Sequence, residues 1–208
     1  MTLPTDLSSV RKRVRTVLDA LGHTAPGATE PLADWAVTVA RWNERVDLTA
    51  ARSGDELVDL LVADATVVAP HVGSPLVDVG TGAGAPGLGI AVLRPDVHVT
   101  LVEPLAKRVA LLRTVVGALR LSNVVVVRKR AEELDRGARF DTAISRATLA
   151  PPEWLAVGRQ LAPDGAVFVL LAQGDPPEAE GERIDGDWSY SLPLTGAPRR
   201  TLRYVPAR

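Results

Sequence analysis

The stretch that most constrains this chain is a glycine-rich junction at residues 76–90, which reads LVDVGTGAGAPGLGI. It begins as an apolar run typical of a buried strand and ends as a run typical of a helix. Between the two, glycines alternate at Gly80, Gly82 and Gly84. Glycine weakens a fold wherever its backbone freedom is not needed. Three glycines in one turn therefore predict a ligand that approaches the main chain here.

The segments after this junction alternate between two patterns. Further strand-like runs read VHVTLVE, NVVVV, FDTAIS and AVFVLLA, and stretches with helical spacing separate most of them. Such alternation predicts an α/β fold with a mostly parallel sheet that is covered on both faces. Two last runs, WSYSLPL and RTLRYVP, predict an antiparallel C-terminal pair. The polar segment at residues 173–187, rich in Pro and Gly, is predicted to be a loop.

Residues 1–72 show apolar stripes with helical spacing and no strand pattern. We therefore divide the chain into an N-terminal helical extension, residues 1–72, and a main domain, residues 73–208. The third helix of the extension is predicted to start at the capping box SGDE, at Ser53. Asp64 falls on the apolar stripe of that helix, so it is either a hydrogen-bonded structural carboxylate or part of a site.

Composition excludes several kinds of site. The formal net charge is −1, so a contact with nucleic acid needs a local basic patch. The clusters at residues 11–15, 128–130 and 199–200 are candidates, although each can equally be solvated charge. The chain has no Cys and only three scattered His, which predicts no metal site. Neither a signal peptide nor a long apolar run is present, so we expect a cytoplasmic protein without a membrane span.

The glycine junction leaves two ligand classes open. Gly80, Gly82 and Ala85 satisfy G-x-G-x-x-G/A, and Glu103 follows at about the distance of an acid that binds ribose hydroxyls, as in a dinucleotide site. A P-loop is excluded because no Lys-Ser/Thr follows the glycines. Asp78 favours S-adenosylmethionine, because a carboxylate there can face the ammonium of a methionine moiety but repels a pyrophosphate.

Further candidates follow the later strands. Arg146 comes after the fourth strand, at the edge where open α/β sheets bind ligands, and could contact guanine O6, a phosphate or the cofactor. In a chain rich in Arg it could also be an ordinary surface residue. Ala131 and Glu132 follow the third strand, where an adenine would lie against backbone groups; taken alone, they suit a helix start. No polar N/D-P-P-Y/F clamp follows the fourth strand, which favours a ring nitrogen such as guanine N7 as methyl acceptor.

Several of these segments coincide with one family. WNERVDLTA, DVGTGAGAPGLGIAVLRPD, RAEEL and FDTAISRA, within roughly residues 42–174, resemble the bacterial 16S rRNA guanine-N7 methyltransferases, the glucose-inhibited division protein B group. The resemblance implies a Rossmann-like class I methyltransferase fold, S-adenosylmethionine as cofactor and a guanine of 16S rRNA in the small ribosomal subunit as substrate. By position, it implies cofactor contacts at Gly80, Ala85, Ala131, Glu132 and Arg146. To these the residues themselves add Asp78, Gly82, Gly84 and Glu103. Arg146 and Asp64 are the candidate catalytic residues.

The chain also departs from the family pattern. Leu61 and Ala65 stand where the family usually has His and Ser, Ala85 where it has a larger apolar or aromatic residue, and Gln173 where it has Lys. These changes lie mostly on the substrate side. Two alternatives therefore stay open. One is a relative that methylates a nitrogen of a small heteroaromatic molecule, and the other is a non-catalytic protein that binds the cofactor.

Overall fold

The computed structural model describes residues 3–23, 27–134, 139–172 and 174–207. The helices are α1 (Leu7–Ala20), α2 (Thr29–Asn43), α3 (Gly54–Val58), α4 (Asp64–Val68), α5 (Gly87–Leu93), α6 (Ala106–Ala118) and α7 (Pro151–Leu161). The strands are β1 (Leu76–Val79), β2 (Val99–Val102), β3 (Val124–Val127), β4 (Thr142–Ser145), β5 (Ala166–Leu171), β6 (Glu182–Ser191) and β7 (Pro198–Pro206). A π-helical turn, Asp59–Ala63, joins α3 to α4. Within the described ranges, no helix has both the length and the apolar character needed to cross a membrane.

All seven strands form one sheet in the order β3-β2-β1-β4-β5-β7-β6. The first five strands in that order are parallel, and β7 runs antiparallel to both β5 and β6. The predicted α/β fold, with a mostly parallel sheet and an antiparallel C-terminal pair, is confirmed. The chain leaves β1 in one direction along the sheet and later returns to place β4 on its other side. This reversal creates a switch point at the carboxyl ends of β1 and β4, where open α/β sheets bind ligands.

The two faces of the sheet are covered differently. On one face, Trp154 and Leu155 of α7 pack with Val167 and Val169 of β5 in a separate apolar cluster. On the other face, one buried cluster extends from Leu3 through the N-terminal helices, α5 and α6, and reaches Leu192. The helices before β1 therefore form a layer that shares its core with the sheet. The division of the chain at residue 72 stays a prediction.

The prediction of a loop at residues 173–187 is wrong for the second half of that range. Strand β6 already begins at Glu182 and pairs with β7 along its length, with a register shift between Ile184 and Gly186. The sequence hides this strand because β6 lies at the edge of the sheet and its side chains are exposed or half-buried. No apolar alternation is needed on such a strand. Gln173 lies outside the described residues.

The β6–β7 hairpin is fastened to the helical layer by several contacts. Asp59 is fully buried in the π-helical turn and accepts hydrogen bonds from the backbone N–H of Leu194 (3.2 Å) and from the N–H and hydroxyl of Thr195 (2.9 and 2.8 Å). Burial raises the pKa of Asp59, although these three donors act against the rise. Nearby, the rings of His71 and Trp188 stack with centroids 4.2 Å apart.

Candidate active site

The three alternating glycines serve different purposes in the turn after β1. All three have positive φ, with values of 69° at Gly80, 61° at Gly82 and 111° at Gly84. A side chain at Gly80 would collide with Thr148, and one at Gly84 would press against Trp35. At Gly82, by contrast, the only neighbour from the described part of the chain within 4 Å of an added Cβ is the carbonyl oxygen of Gly80, at 3.9 Å. Gly82 is therefore the glycine whose missing side chain leaves open space.

Asp78 holds the two ends of this turn together. Its Oδ2 accepts hydrogen bonds from the hydroxyl of Thr81 (2.6 Å) and from the backbone N–H of Gly87, at the start of α5 (2.8 Å). The side chain is fully buried, and burial raises its pKa from 3.8 to about 6. Its Oδ1 is also buried and has no hydrogen-bond partner in the described ranges. A buried acceptor of this kind is costly unless a partner is supplied.

The middle of the turn is held from two sides. The indole N–H of Trp35, from α2, donates to the carbonyl of Ala83 at 3.0 Å. On the opposite side, Oε2 of Glu103 accepts from the N–H of Gly82 (3.0 Å), while its Oε1 accepts from the N–H of Leu105 (2.9 Å). Glu103 is 1% exposed and sits just after β2. Each of its oxygens keeps a lone pair, so the carboxylate can also accept from a pair of hydroxyls.

A cavity of about 610 Å³ opens at this switch point. Among the predicted site residues, it is lined by Asp64, Gly80, Gly82, Ala85, Glu103 and Arg146. Asp78, at the end of β1, and Gly84, within the glycine turn, lie outside the lining. Ala131 and Glu132 are in a short 3₁₀ turn after β3, also outside the lining. The part of each predicted residue in binding a cofactor stays a prediction.

Arg146 and Asp64, which were predicted from separate segments, meet in the cavity wall. Nη1 of Arg146 donates to the carbonyl of Leu60 (2.5 Å) and to Oδ2 of Asp64 (2.9 Å). Asp64 is only 2% exposed, and its Oδ1 accepts from the hydroxyl of Tyr190 at 2.7 Å. That hydroxyl lies 3.3 Å from the hydroxyl of Thr201. Asp64 is thus a hydrogen-bonded buried carboxylate and also part of the cavity wall.

Sequence reasoning missed several residues of this site. Leu48, Thr49 and Ala50 line the cavity, and their signal was the DLTA motif within the family resemblance. Arg108 lines it from α6, where Nη1 lies 3.8 Å from Glu103, but nothing in the local pattern marked it. Arg199 lies between this cavity and a neighbouring one of about 480 Å³, and belongs to a basic cluster noted in the sequence.

Comparison with known protein families shows which family this chain belongs to. The profile of the GidB family, described as rRNA small subunit methyltransferase G, matches residues 28–192. The chain belongs to this family. A relative from Methylobacillus flagellatus, named ribosomal RNA small subunit methyltransferase G, is 34% identical over 203 residues, which is 96% of this chain and 99% of the relative. A relative of the same name from Serratia proteamaculans is 35% identical over 173 residues, covering 82% of this chain and 84% of its own length.

Solved structures at lower sequence identity share the fold. A putative methyltransferase from Escherichia coli, yhhF, has a TM-score of 0.52 at 19% identity, covering 68% of this chain and 82% of its own. A putative RNA methyltransferase from Pyrococcus horikoshii has a TM-score of 0.53 at 17% identity, covering 69% and 82%. The glycopeptide N-methyltransferase MtfA, solved with S-adenosyl-L-methionine, has a TM-score of 0.53 at 13% identity, covering 69% and 93%. These likenesses show the Rossmann-like methyltransferase fold.

Proposed function

We propose that this protein is an S-adenosylmethionine-dependent methyltransferase that methylates guanine N7 in 16S rRNA of the small ribosomal subunit. The observation that carries the proposal is the GidB-family match across residues 28–192, which includes nearly all of the cavity wall. Because ribosomal subunits are cytoplasmic in bacteria, the proposal includes a cytoplasmic location. The same match gives no support to a small heteroaromatic acceptor or to a role limited to binding the cofactor.

The residues around the glycine turn suit this cofactor. Gly82 leaves open space where a ligand can approach the backbone, and Glu103 has lone pairs for ribose hydroxyls. Asp78 carries a buried oxygen without a partner, and because its pKa is about 6, the side chain is mostly ionised at neutral pH. A negative charge beneath the turn favours a ligand that carries an ammonium group and disfavours a pyrophosphate.

When bound, the cofactor supplies a methyl group on a positively charged sulfur. Glu103 would hold the ribose, and the Gly80–Gly82 backbone would lie along the amino-acid part of the ligand. A ring nitrogen with a free lone pair needs no base, so the contribution of the chain is to bring the acceptor into position. Positioning of this kind is worth up to roughly 7–11 kcal/mol.

Arg146 would position the acceptor. It follows β4, while Glu103 follows β2, so the two side chains flank the β1 turn from opposite sides. Only Nη1 of Arg146 is hydrogen-bonded within the described ranges, which leaves Nε and Nη2 for guanine O6 or a phosphate. Asp64 would keep the guanidinium in this orientation. Arg108 and Arg199 add two further cations to the wall, as a polyanionic substrate requires.

Transfer of a radiolabelled methyl group tests the proposal. The purified protein should label 30S subunits from cells that lack this modification and should leave already modified subunits unlabelled. Digestion of the labelled RNA should yield 7-methylguanosine. In parallel, calorimetry should show binding of S-adenosylmethionine and none of NAD. Label in a small-molecule extract but not in the 30S subunits, or a preference for NAD, would contradict the proposal.

A further inference from the structure

Tyr190 lies in β6, outside the cavity lining, yet its hydroxyl is bonded to a residue of the wall. The hydroxyl donates to Oδ1 of Asp64 at 2.7 Å, across 126 residues of sequence. Thr201 of β7, which is fully buried, lies 3.3 Å from the same hydroxyl. A chain of contacts therefore runs from the C-terminal hairpin through Asp64 to Arg146.

Each link of this chain restricts the next one. Asp64 is almost completely buried, so its two oxygens depend on protein donors rather than on water. Arg146 satisfies Oδ2 and Tyr190 satisfies Oδ1. If the Tyr190 hydroxyl is removed, Oδ1 loses a donor and the carboxylate can rotate. Among the described residues, Arg146 donates to Asp64 and to the carbonyl of Leu60, so rotation of Asp64 would leave its guanidinium with one of these two partners.

We propose that Tyr190 is a positioning residue for the acceptor: it fixes Asp64, and through Asp64 it fixes the Arg146 guanidinium in the cavity wall. This inference rests on the proposed function, in which Arg146 contacts the acceptor. Tyr190 itself touches neither substrate nor cofactor. Burial and the charge of Asp64 raise the pKa of Tyr190, so the hydroxyl keeps the proton that it donates.

The hairpin provides a matched control for this role. Thr195, in the turn of the same hairpin, also donates its hydroxyl to a buried aspartate, Asp59, at 2.8 Å. Neither residue of that pair lines the cavity. Tyr190→Phe and Thr195→Val therefore each remove one hydroxyl that joins the hairpin to the helical layer, but only the first hydroxyl leads to Arg146.

The first experiment compares methyl transfer by the two variants. We expect Tyr190→Phe to lower kcat/KM for unmodified 30S subunits by roughly tenfold or more, the size of one lost hydrogen bond to a charged group. The dissociation constant for S-adenosylmethionine should stay within about twofold of wild type. Thr195→Val should keep the wild-type kcat/KM. An unchanged kcat/KM in Tyr190→Phe, or an equal loss in Thr195→Val, would overturn the proposal.

A double-mutant cycle tests whether Tyr190 acts through Asp64. In an Asp64→Asn background, the further change Tyr190→Phe should have little additional effect, because the link is already broken. A full additional loss would show that Tyr190 acts by another route, which contradicts the inference.

A measurement without substrate separates this inference from the proposed function. The Nε–Hε signal of Arg146 in ¹⁵N NMR should broaden or move in Tyr190→Phe and stay in place in Thr195→Val. If the wild-type protein transfers no methyl group, the proposed function fails, while the NMR comparison still decides whether Tyr190 holds Arg146. An Arg146 signal that is the same in Tyr190→Phe and wild type would overturn the inference even in an active enzyme.

Discussion

Single residues in the glycine turn divide between holding the turn and leaving room for a ligand. Gly80 and Gly84 avoid collisions with Thr148 and with the Trp35 ring. Gly82 avoids no collision, yet it has the same left-handed backbone and its N–H is held by Glu103. The absence of a side chain at Gly82 therefore leaves empty space next to the fixed carboxylate of Glu103.

Replacement of Gly82 by valine should abolish cofactor binding. The new side chain would project into open space beside Glu103. Valine at a position with a left-handed backbone would also cost roughly 1–2 kcal/mol of stability. Calorimetry with S-adenosylmethionine should detect no binding, while the helical circular dichroism should be largely retained.

Gly22 provides the matched control for this change. It also has a positive φ, of 71°, with no described residue within 4 Å of an added Cβ, and it lies after α1, away from the cavity lining. Gly22→Val should carry a similar backbone cost and bind the cofactor as wild type does. If Gly82→Val also bound the cofactor normally, the turn would not approach the ligand.

Asp78 should make stability depend on pH. Burial raises its folded-state pKa from 3.8 to about 6. Between these two pH values, Asp78 therefore keeps a proton in the folded protein that it loses in the unfolded chain. The contribution of Asp78 to stability is therefore complete below about pH 3.8 and is lost as the pH rises through about 6. The free-energy difference between these two limits is about 3 kcal/mol.

Asp78→Asn isolates this contribution, because asparagine does not ionise. The free energy of unfolding of the variant minus that of wild type should increase by about 3 kcal/mol as the pH is raised from roughly 3.5 to 7.5. Urea denaturation of both proteins at several pH values in the absence of ligand measures the difference. A difference that does not change with pH would mean that Asp78 keeps an ordinary pKa.

At the scale of elements, close packing of helices shapes the wall behind the cavity. An added Cβ at Gly89, in α5, would lie 2.6 Å from Cβ of Ala65, in α4. The two helices approach so closely because both positions carry small residues. The helix that holds Asp64 is thus seated directly against the helix that follows the glycine turn.

Gly89→Ala should therefore push α4 and α5 apart and lower the free energy of unfolding by about 1–3 kcal/mol, the usual cost of overpacking. At Gly117, in α6, none of the residues that the structure describes lies within 4 Å of an added Cβ. Gly117→Ala should stabilise the protein by up to about 1 kcal/mol through helix propensity. Thermal unfolding of both variants tests the pair, and a stabilising Gly89→Ala would contradict the packing described for α4 and α5.

The sequence predicts those elements whose patterns are local. Strands β1, β2, β4 and β5 are largely buried and mainly apolar, and β3 is a run of four valines. Helix α3 begins at its predicted cap, where the Ser53 hydroxyl accepts from the N–H of Glu56 at 3.1 Å. The start of β6 escapes prediction because an exposed edge strand needs no apolar face. Its pairing with β7 is fixed by tertiary contacts, such as those of Asp59 with the hairpin turn.

In the candidate site, too, local patterns predict some residues and tertiary contacts determine the others. The glycine turn and Glu103 follow from spacing around two adjacent strands, so the sequence could place them together. Tyr190 and Asp64 are 126 residues apart, and no local pattern connects them. Arg108 looks like any exposed cation on a helix until the fold brings it beside Glu103.

The whole molecule should unfold as one unit. The larger buried cluster reaches from Leu3 to Leu192 and includes side chains of the N-terminal helices and of the sheet. Loss of the N-terminal layer would expose one apolar face of the sheet, so neither part has a complete core of its own. Calorimetry should show one transition whose calorimetric and van't Hoff enthalpies agree. Two transitions would instead support residues 1–72 and 73–208 as independent domains.

The contact between Trp35 and the Ala83 carbonyl gives the protein an optical reporter of its own ligand turn. Trp35 is fully buried, and its indole N–H bonds to the turn at 3.0 Å. The fluorescence of an indole responds to the hydrogen bond at its N–H. A ligand that shifts the Ala83 carbonyl should therefore change the light that this tryptophan emits, so cofactor binding can be followed without any added dye.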